Sequence, residues 1–170
     1  WYEGYRGLQT MRAAIRDSLN VYSVKTLTDI TPKLGYEYAE KLGINTLVDG
    51  QEVNGQIFSD INQTLALGGI TFGVRNIELN AAFSTIANGG KYVVPRLYTK
   101  VTRVVEGRDQ AGDSAEMQTE RVILDNTDPE KERVLKKTTC YLLTEAMKDV
   151  LTKGTGLAAN FTSTSIAGKT

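Results

Sequence analysis

An α+β fold, mainly helical, is what this sequence predicts, and three observations carry that expectation. Helical spacing governs 10–42, 76–90 and about 136–152; β-branched and aromatic residues dominate from Tyr92 to Leu124; and apolar Ser165-Ile166-Ala167 leads like a strand into Gly168-Lys169-Thr170. The 170 residues are the length of one ordinary domain with a real core.

Taken in order, residues 1–9 are aromatic and glycine-rich (Trp1, Tyr2, Gly4, Tyr5, Gly7) and read as an ordered loop. Thr10 is placed to cap a first helix carrying Met11, Ala14 and Ile15 at helical spacing. A second helical phrase begins at Asn20 and Val21, with Val24, Leu27 and Ile30 on one side. It must break at Thr31, because the residue before Pro32 disfavours helical backbone. A third helix is expected over 33–42, with Gly43 behind it. Residues 44–66 are polar and contain Asp49-Gly50 and Asn54-Gly55, so a surface loop or small excursion is expected.

After Gly68-Gly69-Ile70-Thr71-Phe72-Gly73 comes a clearer helix. Leu79, Ala82, Phe83, Ile86 and Ala87 recur at helical spacing, Asn76 would cap the start, and Asn88-Gly89-Gly90 would end it. Residues 91–125 read as a protruding β-hairpin with a polar connection at 107–119. A turn at Asp128-Pro129-Glu130 leads to the last long helix. It should turn Leu143, Met147, Val150 and Leu151 inward and stop at Gly154-Thr155-Gly156.

The composition removes several classes of function. Lysine and arginine together number 20, as do aspartate and glutamate, so no net basic charge points to nucleic acid. Histidine is absent, which excludes a Ser-His-Asp or Cys-His arrangement and any histidine metal site within this chain. A single cysteine, Cys140, cannot build a thiolate metal site or an internal disulfide, and its apolar helical run reads as a core position. No metal or cofactor is expected. A general base here would have to be lysine, a carboxylate or tyrosine. No run approaches the ~20 apolar residues of a membrane-spanning helix, and both ends look cut, at Trp1 without methionine and at Thr170 in mid-strand.

Two triplets are candidates for chemistry. Ser18-Leu19-Asn20 sits at a helix junction, where serine and asparagine commonly satisfy free backbone groups. In a cleft, the same hydroxyl could relay a proton and the same amide could hold a substrate carbonyl. Gly168-Lys169-Thr170 invites a phosphate-loop reading, but the first glycine that motif requires falls at Ser163, and the strand before the loop is missing. The alternative is a lysine on a strand edge, offering positive charge to a carboxylate beside a threonine hydroxyl. Lys136-Lys137 and Arg103, Arg108 and Arg121 read as exposed faces. Tyr2, Tyr5, Tyr22 and Tyr36 read equally well as packing or cleft residues.

In the right order, several longer stretches resemble the transpeptidase domain of class A (bifunctional) bacterial penicillin-binding proteins. They are 7–20, ending in Ser18-Leu19-Asn20; Ala66-Leu67-Gly68-Gly69; Ile77-Glu78-Leu79-Asn80 through Gly90; Lys153-Gly154-Thr155-Gly156; and Ile166-Ala167-Gly168-Lys169-Thr170. Where such proteins usually carry Thr-Pro ahead of Leu-Glu-Leu, this chain has Arg75-Asn76.

The resemblance implies a penicillin-binding transpeptidase / β-lactamase-like α+β fold. Residues 1–90 and 126–160 would belong to its helical subdomain, 91–125 would be a hairpin, and 165–170 the start of the Lys-Thr-Gly strand. It implies a serine acyl transfer on D-Ala-D-Ala stem peptides of peptidoglycan, with β-lactam antibiotics as acylating mimics. Ser18 would help move the proton and Asn20 would orient the substrate amide. Lys169 and Thr170 would bind the terminal carboxylate, with Gly168 beside them. The family's Ser-x-x-Lys nucleophile motif occurs nowhere here. The fragment would therefore be inactive alone and would need the remainder of the same domain, in a parent anchored upstream at the outer face of the cytoplasmic membrane. A catalytically empty interaction module on the same scaffold is the competing expectation.

Overall fold

The computed structural model describes residues 6–107 and 117–170. Trp1, Tyr2, Gly4 and Tyr5, most of the expected connection at 107–119, and Arg108 lie outside the described residues. Five α-helices are described: α1 Met11–Arg16, α2 Asn20–Ile30, α3 Pro32–Lys41, α4 Asn76–Ala87 and α5 Lys137–Lys153. Three separate two-stranded antiparallel ladders accompany them. Strand β1 (Asp49–Val53) pairs with β2 (Gln56–Ser59), β3 (Lys91–Tyr92) with β6 (Glu132–Arg133), and β4 (Lys100–Gly107) with β5 (Met117–Asp125). The α+β expectation therefore holds.

The centre of the core is α5, which packs against α1 and α4. Val150 is wholly buried, with Cys140, Ala146, Met147 and Leu151 on the same helix and Ala14, Leu19, Ala81 and Ala82 also in the core. Of the residues expected to point inward, Met147, Val150 and Leu151 are buried and Leu143 is half-buried. Helix starts follow local chemistry. The Thr10 hydroxyl accepts the Ala13 N–H at 3.2 Å, and Thr31, at a positive φ of 78° with extended ψ 139°, breaks the chain between α2 and α3 and caps α3 through the Leu34 N–H.

Two local expectations need refining. The segment 44–66 is more than a loop, since β1 and β2 form a hairpin closed by Asn54 and Gly55 at φ 53° and 78°, the left-handed pair of a type I′ turn. Val53, Ile57 and Phe58 are the only large apolar residues in its strands, and they do not alternate with polar ones along the segment, so no apolar alternation marked them. Behind the hairpin, buried Asp60 accepts from the Val48 and Thr71 N–H groups and the Thr71 hydroxyl. Burial pushes its carboxyl pKa up, but those hydrogen bonds outweigh burial and the net shift is downward.

Next, Asn76 does not cap α4. Arg75 holds the cap position, and the buried Glu78 carboxylate accepts the Arg75 N–H at 3.3 Å, completing the cap where a Thr-Pro pair is absent. The buried face of α4 is Glu78, Ala81, Ala82 and Thr85, one residue round from the expected stripe; Leu79 and Phe83 remain 47% and 41% exposed. Small residues let α4 lie close to α5, whereas nothing in the described chain covers the larger stripe. Residues 165–170 form no ladder with any described strand, in keeping with the expectation that the sheet strands beside them lie outside this chain.

Salt bridges knit α1 to α5. Arg12 Nε donates to Asp149 Oδ2 at 2.5 Å, Lys153 lies 3.1 Å from the same carboxylate, and Asp17 bonds both Arg16 and Arg6 at 2.7 Å. Hydrogen bonds from Arg12 and then Lys153 hold the Asp149 pKa at about 2. The bond from Arg16 does the same for Asp17, against burial and with help from Arg6. Both values lie below the ~3.9 of an unfolded aspartate, so this stabilisation is complete above about pH 5 and is lost as the pH falls toward about 2. The melting temperature of the chain should therefore fall across that interval, and Asp149→Asn should flatten the fall. An unchanged slope in that variant would show that Asp149 does not link α1 to α5 in this way.

Candidate functional site

The site begins where α1 ends. The Ser18 N–H donates to the Ile15 carbonyl at 3.3 Å and the Leu19 N–H to the Ala14 carbonyl at 3.0 Å, the paired closure of a Schellman motif. In that motif the position held by Ser18 takes the left-handed conformation, usually with glycine. Here serine adopts it, at φ 54°. The next residue, Leu19, is buried and anchors the turn in the core. Asn20 then opens α2 with its side chain exposed, and its amide has no hydrogen-bond partner among the described residues.

The second half comes from the far end of the sequence. α5 stops at Gly154, where an added Cβ would stand 2.3 Å from the Arg16 carbonyl oxygen and 3.0 Å from the Val150 Cα. Only glycine lets the helix end sit directly on the end of α1. The Thr155 N–H donates to that same Arg16 carbonyl at 3.3 Å, and the Gly156 N–H to Val150 at 2.9 Å. The segment then returns, so that the Gly168 N–H reaches the Met147 carbonyl at 3.4 Å and Gly168 packs beside Leu151.

This return brings together residues 151 positions apart. Lys169 Nζ donates to Ser18 Oγ at 2.7 Å and to the main-chain oxygen of Thr170 at 2.6 Å; the Ser18 hydroxyl donates to that oxygen at 3.0 Å. Although Lys169 is exposed as a residue, its ammonium end is desolvated against the turn, and this pushes its pKa below the ordinary lysine value. No aspartate or glutamate side chain among the described residues pairs with it. The arrangement is a cation facing the Ser18 hydroxyl and the main-chain oxygen of Thr170, with an open amide at Asn20 nearby in sequence. It can attract an anion, and it can pass a proton from lysine to serine and onward from serine. One contributor went unrecognised in the sequence. The Thr155 hydroxyl lies 2.6 Å from the Thr170 hydroxyl and 3.4 Å from the Arg16 carbonyl, whereas the sequence marked Gly154-Thr155-Gly156 only as a helix stop inside a family-like stretch and gave Thr155 no part in the site.

The penicillin binding protein transpeptidase domain family matches residues 1–170. The chain belongs to that family. Penicillin-binding protein 1A of Clostridium perfringens strain 13 is 30% identical over 169 residues, covering 99% of this chain and 22% of that protein. This transpeptidase chain thus spans about a fifth of the length of the curated relatives it matches. Among solved structures, the D,D-transpeptidase domain of a peptidoglycan glycosyltransferase from Eggerthella lenta is similar at a TM-score of 0.65 and 19% identity, over 98% of this chain and 42% of that one. Penicillin binding protein 3 of Mycobacterium tuberculosis, complexed with aztreonam, is similar at a TM-score of 0.63 and 18% identity, over 89% and 34%. These likenesses show a transpeptidase fold.

Proposed function

We propose that this chain forms one wall of the active-site cleft of a D,D-transpeptidase that cross-links peptidoglycan stem peptides and is acylated by β-lactams. The single observation that carries the reading is the 2.7 Å contact of Lys169 with Ser18 across the junction of α1 and α5. In the proposed reaction a serine outside this sequence attacks the carbonyl of a D-Ala-D-Ala bond. The C–N bond breaks, the leaving amine takes a proton, and the acyl-enzyme is captured by the amine of a neighbouring strand. Ser18 donates toward the leaving amine while accepting from Lys169. Asn20 orients the substrate amide through its free side chain. Lys169 and Thr170 hold the terminal carboxylate, and Gly168 keeps the backbone close to α5. The same contact would serve the ring carboxylate of a penicillin.

The proposal includes a parent protein working at the outer face of the bacterial cytoplasmic membrane, with its anchor outside this sequence. Among the described residues no helix is long and apolar enough to cross a membrane. A fluorescent penicillin tests the reading. It should label the intact parent at a serine outside these 170 residues and leave the isolated chain unlabelled. Labelling of the isolated chain, or no labelling of the intact parent, would refute it; the second result would favour an interaction module.

A further inference from the structure

We infer that Thr155 is a positioning residue that orients the Thr170 hydroxyl toward an incoming carboxylate. The inference rests on the transpeptidase reading above and deepens it. Beside the Ser18–Lys169 contact, Thr155 is a second link between the two halves of the site. Its hydroxyl lies 3.4 Å from the Arg16 carbonyl, two residues before Ser18, and 2.6 Å from the hydroxyl of Thr170, next to Lys169.

A hydroxyl has one proton to give and two lone pairs to receive. With the cleft empty, Thr155 gives its proton to Arg16 along the longer contact, and Thr170 gives its proton to Thr155 along the shorter one. The Arg16 carbonyl already accepts the Thr155 N–H at 3.3 Å, so it is not orphaned when the hydroxyl turns away. A carboxylate drawn in by Lys169 reverses the order. The Thr170 proton turns to the anion, and the Thr155 proton swings into the 2.6 Å contact behind it. The result is a chain running from Thr155 to Thr170 to the carboxylate, in which each bond polarises the next. No atom beyond these two protons moves, and none is lost. A ligand without a carboxylate has nothing to trigger the reversal and gains nothing from Thr155.

The test uses the intact parent transpeptidase and compares acylation rate constants for a penicillin and for its methyl ester. Thr155→Val should lower the rate constant for the free acid about tenfold, the loss expected for one hydrogen bond worth about 1.4 kcal/mol, and change the ester by less than about twofold. Thr155→Ser should restore the free-acid rate to within about twofold of wild type. Because the acid-to-ester ratio is read within each variant, a reduced folded fraction cancels. Thr155→Ala, which retains the backbone bond to Arg16, serves if the valine variant does not fold. Equal losses for acid and ester, or failure of serine to rescue, would overturn the inference and leave Thr155 a structural clamp. Absence of acylation in the wild-type parent would instead overturn the transpeptidase reading on which it rests.

Discussion

Replacing Lys169 by alanine in the intact transpeptidase is expected to slow acylation by a penicillin by about two to four orders of magnitude, the range for losing a positioned proton-transfer group. Two effects combine. The ammonium brings positive charge to the proposed carboxylate site, and no aspartate or glutamate side chain among the described residues pairs with it. It also donates to Ser18 Oγ, so that a proton given by Ser18 to the leaving amine can be replaced. Lys169→Arg separates the two. A guanidinium keeps the charge but does not give up its proton, so anion binding should survive better than the acylation step. Ser18→Ala and Lys169→Ala should be non-additive, because each removes one partner of the same 2.7 Å contact. Acylation of Lys169→Ala within about threefold of wild type would remove the lysine from the mechanism.

Gly154→Ala is expected to destabilise the domain by about 3 kcal/mol, at the upper end for overpacking against atoms that cannot rotate away. The new methyl would meet the Arg16 carbonyl at 2.3 Å on one side and the Val150 Cα at 3.0 Å on the other, both main-chain atoms. Relief requires the ends of α1 and α5 to part, and that loosens the packing around Val150 and Ala14. It also carries Thr155 away from Arg16 and Thr170, although Gly154 contacts no proposed substrate. The melting temperature of the domain should drop by roughly 6–12 °C at this domain size, and acylation should slow in the fraction that remains folded. A variant that melts within about 2 °C of wild type would show that the helix ends accommodate a methyl group.

Much of the architecture was legible where local chemistry decides it. Thr10 caps α1, Pro32 forces the break at Thr31, and the last helix turns Met147, Val150 and Leu151 inward, as their spacing implies. Legibility failed where tertiary packing chooses between equivalent patterns. On α4, the stripe of Leu79 and Phe83 and the stripe of Glu78, Ala81, Ala82 and Thr85 both repeat at helical spacing. Hydrophobicity favours the first, whereas the close approach to α5 selects the second. The β1–β2 hairpin was invisible to apolar alternation because Gln51, Glu52 and Gln56 are polar and exposed, leaving only its Asn54-Gly55 turn as a sign. For the site, motif order pointed to Ser18 and Lys169, but spacing alone could not bring residues 151 positions apart into contact. Thr155 lay within a family-like stretch but carried no sign of its contact with Thr170, which comes from what the returning segment places against it.

The left-handed backbone of Ser18 has a consequence for how this region can change over time. Glycine would occupy that conformation with less strain, which for other residues is of order 1–3 kcal/mol, so selection for durability alone pulls the position toward the residue with no side chain at all. A serine there opposes that pull, and a homologue with glycine at this position would hold its turn more comfortably while having no oxygen to face the lysine.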